Sequence, residues 1–86
     1  MIIKQFFERR QRIKRYGQYL TSRYDAIVSH VKDAPYRMLM GYPHVYECDL
    51  IIQMLEEEGY NVERWKRLPV EFYEKNPDAV PIMITW

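Results

Sequence analysis

Eighty-six residues, 48% apolar and 15% aromatic, suffice for one globular domain (residues 1–86) with a small core, and they exclude a disordered chain. The single cysteine, Cys48, rules out an internal disulfide and fits a reducing compartment; no apolar run is long enough to cross a bilayer, so the cytoplasm is expected, with no membrane partner. The net charge of +1 conceals a polarity: residues 1–44 carry nine Lys/Arg against three Asp/Glu, and residues 45–86 carry four against nine, which suits a basic end that grips anions, or opposite-charge halves that pair within one molecule or between copies in a homo-oligomer.

The chain begins MIIKQFF, where Lys4 interrupts the apolar residues and a charge run follows, unlike a signal peptide. Residues 2–32 read as helical. Ile3, Phe6, Ile13, Tyr16, Leu20, Tyr24, Ile27, Val28 and Val31 recur at the three-and-four spacing of one buried stripe. Arg10 and Gly17 interrupt it. A mid-helix glycine costs about 1 kcal/mol relative to alanine. The segment is therefore one helix with a weak point, or two helices meeting near Gly17, with Thr21 and Ser22 available to cap a restart. Pro35 disfavours helix at Ala34 and ends the segment.

Within this segment lies ERRQRIKRYGQY, residues 8–19. Over residues 1–24 there are seven basic side chains and one acid, Glu8, a bias strong enough to generate a positive potential. Five of the seven are arginines, whose forked donors suit phosphates and carboxylates. Arg9, Arg10, Arg12, Lys14, Arg15 and Arg23, with Tyr19, are the candidate binding residues; Tyr16, Tyr19 and Tyr24 offer rings on which unpaired bases can stack. Tyr16 and Tyr24 also fall on the apolar stripe, which reads equally well as core.

Residues 36–42, YRMLMGY, form either a short buried strand or a helical turn, with Gly41 marking a turn. Residues 43–58 read as a second helix: Pro43 suits its first turn, Val45, Cys48, Ile51, Ile52 and Leu55 its inward stripe, and Gly59 its left-handed terminus. Glu56, Glu57 and Glu58 lie at the negative end of its dipole, either as a solvated terminus or as the answer to a basic surface on the first helix or a partner. Residues 60–66 alternate as a strand, with Tyr60, Val62 and Arg64 on one side. Residues 67–79 form a long connection with a short helical turn at VEFYEK. Residues 80–86 read as a closing strand with Ile82, Ile84 and Trp86 on one face; Pro81 places it at a sheet edge, or restricts its pairing to the residues after it.

Gly59, Tyr60, Val62 and the terminal Ile82, Ile84, Thr85 and Trp86 resemble a pattern of small bacteriophage-encoded proteins. In these a helix stops at a glycine–aromatic–x–valine step into a strand, and a strand of I-x-I-S/T-W type closes the fold. The resemblance spans the last third of the chain. It implies an α+β fold and a phage accessory or host-takeover setting, and it carries over no catalytic residue.

His44 and Cys48, spaced i, i+4, would share one helix face and reach one metal ion or form a thiol–imidazole pair. A zinc site needs about four ligands, and only His30 and Asp49 are near candidates to complete one. Burial on the apolar stripe would also keep the Cys48 thiol protonated. With no glycine-rich phosphate loop and no motif of mechanical content, a non-enzymatic protein without cofactor or metal is expected. The sequence thus points to an α+β domain, its basic N-terminal helical segment and a second helix packed on a small antiparallel sheet formed by 60–66, 81–86 and 36–40. Its expected function is RNA or DNA binding through the basic helix. The alternative is a protein inhibitor or assembly factor that docks that helix on an acidic surface of a host protein such as a nuclease.

Overall fold

The computed structural model describes the backbone of residues 2–65 and 68–86 and the side chains of 8–65 and 68–86. The fold is α+β, built in two layers and only 17 Å across its thinnest dimension. Two helices replace the first long segment: α1 (Ile2–Tyr16) and α2 (Gln18–Val28). Gly17 separates them at φ 90°, a conformation glycine adopts without a Cβ penalty. The restart is at Gln18 and not at Thr21 or Ser22; Thr21 is instead fully buried. Ala34 is extended, as the following proline requires. Tyr36 and Arg37 then take positive φ, at 61° and 53°, and deliver the chain into β1 (Met38–Gly41).

The ambiguous 36–42 segment is therefore a strand from Met38, and Gly41 is not a turn. It sits buried in β1, where an added Cβ would stand 3.4 Å from Cγ1 of Ile82. The helix expected at 43–58 is α3 (Cys48–Glu57) only. Residues 43–45 instead prolong the pairing of β1: Val80 N–H donates to the Pro43 carbonyl, and Val45 N–H donates to the Asp78 carbonyl. Val45, expected inside, is half exposed, whereas Met54 is buried beside Ile51 and Leu55. The end of α3 is as expected. Gly59 takes φ 93°, Tyr60 N–H donates to the Leu55 carbonyl and Gly59 N–H to that of Glu56, the paired bonds of a Schellman terminus.

β2 (Asn61–Arg64) follows, then α4 (Val70–Lys75), which coincides with VEFYEK, and β3 (Ile82–Thr85). Of the strand expected at 60–66, Lys66 lies outside the described residues. The sheet order is β1-β3-β2, all antiparallel. β3 is thus the centre and not an edge. Pro81 ends its ladder with β2, where its carbonyl accepts Trp65 N–H and it has no N–H with which to reciprocate, while pairing on the β1 side continues through Val80 and Asp78. Ile82 and Ile84 face the helices and are fully buried with Ile51, Leu55, Met54 and Cys48, while Tyr24 closes the core from α2.

Candidate functional site

The six basic candidates all lie on α1 and α2, and four of them are engaged by acids of the same molecule. Arg9 Nε donates to Asp25 Oδ2 at 2.8 Å. Arg12 Nη2 donates to Glu58 Oε1 at 2.7 Å, and its guanidinium lies 4.7 Å from the centre of the Tyr24 ring. Burial works against the Arg12 charge, but the Glu58 bond and neighbouring negative groups raise its pKa above the ordinary value. Arg15 Nη1 is 3.0 Å from Glu57 Oε1. The same carboxylate oxygen accepts the Tyr16 hydroxyl at 2.7 Å, which holds the Glu57 carboxyl below its usual range. Arg10 and Lys14 are exposed on α1, and Tyr19 is 70% exposed on α2.

The concavity between α1 and the end of α3, about 410 Å³, is lined by Arg12, Lys14 and Arg15 and also by Glu8, Glu57 and Glu58. Three bases facing three acids leave little net field for a phosphate backbone. The glutamates at the end of α3 thus answer the first helix of their own chain. The opposite-charge halves meet within the molecule.

Arg23 behaves differently. Its Nε and Nη2 both donate to Glu47 Oε1, at 3.0 and 2.8 Å. Glu47 is buried just before α3 and also accepts the His44 N–H at 3.0 Å. Burial alone would raise its pKa; the Arg23 bonds and the His44 N–H outweigh that and lower it. So fixed, Arg23 stands where two clefts meet. One, about 310 Å³, runs between α2 and β1, with Ala26, Ile27 and His30 on one wall and Leu39, Met40 and Tyr42 on the other. The second, about 290 Å³, continues past Tyr42 and His44 to Asn76–Ala79. Sequence reading named Arg23 but placed it in the basic band. Its partner Glu47, and the clefts, were not legible, because β1 reaches α2 only through tertiary packing.

The paired His44 and Cys48 reading does not hold as drawn. His44 precedes α3, stacks on Tyr46 and lies 3.5 Å from Asp78 through Nε2, whereas Cys48 is buried in the core. Burial pushes the Cys48 thiol up. Among the described residues no three His, Cys, Asp or Glu side chains are placed to hold a metal ion, and no helix is long and apolar enough to cross a membrane.

Tyr36 and Tyr46 are 94% and 87% exposed, and Met38, Tyr42 and Trp65 are exposed as well. No protein-family model, no curated protein and no solved structure matches the chain.

Proposed function

We propose that this chain is a small protein-binding module that acts by contact, in the manner of an inhibitor or assembly factor. The observation that carries the reading is the fate of the arginines. Arg9, Arg12, Arg15 and Arg23 are held by Asp25, Glu58, Glu57 and Glu47, so the charge that suggested phosphate binding is largely answered inside the fold. What the surface offers instead is tyrosine, methionine and tryptophan, the residues enriched where proteins meet. The phage host-takeover setting implied by the C-terminal resemblance is compatible with such a role.

Two measurements on purified protein test it. Titration with single-stranded RNA and DNA across a salt series should give weak binding with a shallow slope. A log–log slope of about −3 to −5, flattened by one to two units in the Arg9→Ala/Arg12→Ala double variant, would instead establish nucleic-acid binding and overturn the proposal. A protein that co-purifies after nuclease treatment should re-form a stoichiometric complex from purified components. Failure of every such candidate to do so would also overturn it.

A further inference from the structure

The antiparallel registers reveal which main-chain groups of β1 are unused. In the β1–β3 ladder the paired positions sum consistently from Met38↔Thr85 to Gly41↔Ile82, and the isolated bridge His44↔Ala79 continues the same register. The bonds Val80 N–H to Pro43 carbonyl and Val45 N–H to Asp78 carbonyl fix the phase: odd residues of this segment direct their N–H and C=O toward β3. The other ladder agrees, since Trp65 N–H reaches the Pro81 carbonyl and so assigns the odd residues of the β3 segment to β2. Met40 and Tyr42 therefore point both N–H and C=O away from the sheet, and the Met38 carbonyl does the same. The Met38 N–H is taken by the Pro35 carbonyl. None of the Met40 and Tyr42 main-chain groups has a hydrogen-bond partner among the described residues.

Met40 and Tyr42 both line the 310 Å³ groove. An open edge is normally guarded by charge. β2, the other edge, carries Glu63 and Arg64, but β1 reads MLMG and carries none. Across the groove stand Ala26 and Ile27 of α2, beside Leu39 of the strand. Arg23 is the only formally charged side chain among the groove's lining residues. Glu47 uses its Nε and Nη2, Nη1 has no hydrogen-bond partner among the described residues, and the side chain is 45% exposed. Apolar walls, a row of unpaired main-chain groups and one immobilised guanidinium are what an added strand with a carboxylate requires.

We infer that the groove between α2 and β1 takes an extended segment of a partner protein as a fourth strand, apolar at alternate positions, with an acidic side chain or a C-terminal carboxylate set against Arg23. The inference rests on the protein-binding reading and gives it a site and a ligand class. Alternate side chains of the incoming strand face Ile27 and Leu39, and the intervening ones lie beside Met38 and Met40. Although Glu47 already takes two of its donors, the Arg23 guanidinium keeps donors on Nη1 for that carboxylate.

The test uses the full chain and a displayed library of random peptides with free C-termini. In the unliganded protein, amide exchange at Met40 and Tyr42 should be faster than at Leu39 and Gly41. A selected peptide should slow exchange at Met40 and Tyr42 by about tenfold or more. N-methylation at alternate peptide positions should abolish binding, while methylation at the intervening ones leaves it. Changing the peptide's carboxylate to an amide should weaken binding about tenfold, the size of one charge-assisted hydrogen bond at a partly solvated site. Ala26→Glu, at an exposed position of the α2 wall, should weaken binding by at least as much while the thermal melt stays that of the parent. Selected peptides that leave Met40 and Tyr42 unprotected and perturb other residues would overturn the groove assignment but not the protein-binding reading. Failure to select any peptide would overturn the groove assignment also, and the reconstituted complex would still judge the broader reading. Protection of Met40 and Tyr42 that rises with protein concentration alone would show a second copy on this edge and overturn the proposal.

Discussion

Glu47→Gln tests the anchor of Arg23 directly. The Glu47 side chain is 6% exposed and accepts three hydrogen bonds, two from Arg23 and one from the His44 N–H. Glutamine keeps an acceptor of the same shape and removes the charge. A hydrogen bond to a charged group contributes about 1.5–3 kcal/mol and a neutral one about 0.5–1.5 kcal/mol. Three such differences, about 1–1.5 kcal/mol each, sum to about 3–4.5 kcal/mol, but Arg23 is nearly half exposed and water replaces much of its loss, so about 1–2 kcal/mol is expected. In a domain of this size that lowers Tm by about 5–15 °C. The pH dependence follows from the lowered Glu47 pKa. A carboxyl whose folded pKa lies below its unfolded one contributes stability above the unfolded value, and that contribution is lost as pH falls through the folded value. Urea unfolding of parent and variant should therefore show a gap at neutral pH that closes as the pH falls below the ordinary carboxyl range and through the lower folded pKa of Glu47. A variant as stable as the parent at neutral pH, or a gap that persists undiminished in acid, would refute the assignment of Glu47 as a charged, buried anchor.

Leu55→Ala, at a fully buried position of α3, should cost about 2–5 kcal/mol in denaturant unfolding, enough to threaten so small a domain. Thr21→Val should leave stability unchanged or raise it by about 1 kcal/mol in the same assay, because the buried Thr21 hydroxyl has no hydrogen-bond partner among the described residues. Cys48 should react slowly with a thiol reagent in the native protein and rapidly in urea, since the thiol is buried and its pKa raised. A double-mutant cycle on Arg12→Ala and Glu58→Ala should give a coupling of about 0.5–1 kcal/mol that shrinks in molar salt.

Local rules served wherever the determinant was local. Gly17 broke the helix, Gly59 ended α3, Pro35 forced Ala34 out of the helix and VEFYEK formed its turn, because in each case the backbone preference of one or a few residues decides. Residues 43–47 were misread for the complementary reason. A proline followed by apolar residues at helical spacing is a sound start signal, but here Pro43 and Val45 gain main-chain bonds to Val80 and Asp78, more than thirty residues away. No periodicity within 43–47 reports that pairing. Gly41 was likewise read as a turn when the close approach of Ile82 explains it. The candidate site was legible only as a list of arginines. Which were answered by acids, and which stood beside an open strand, depended on contacts between α1, α2, α3 and β1 that sequence spacing does not encode.

The charge polarity of the sequence acquires a structural meaning at the end of α3. That helix has no basic residue in its last turn, and its carbonyl end is followed by further carboxylates, an arrangement that opposes its own dipole. α1 supplies what α3 lacks: Arg12 and Arg15 reach Glu58 and Glu57, and the Tyr16 hydroxyl adds a donor. Bases of the first half thus meet acids of the second, and these bonds tie the last turns of α1 to the end of α3. Where bases and acids face each other in this way, the local field that would draw a distant anion is small. On the protein-binding reading proposed above, selectivity comes from short-range groups, and β1 offers unpaired N–H and C=O beside Ile27, Tyr42 and the guanidinium of Arg23.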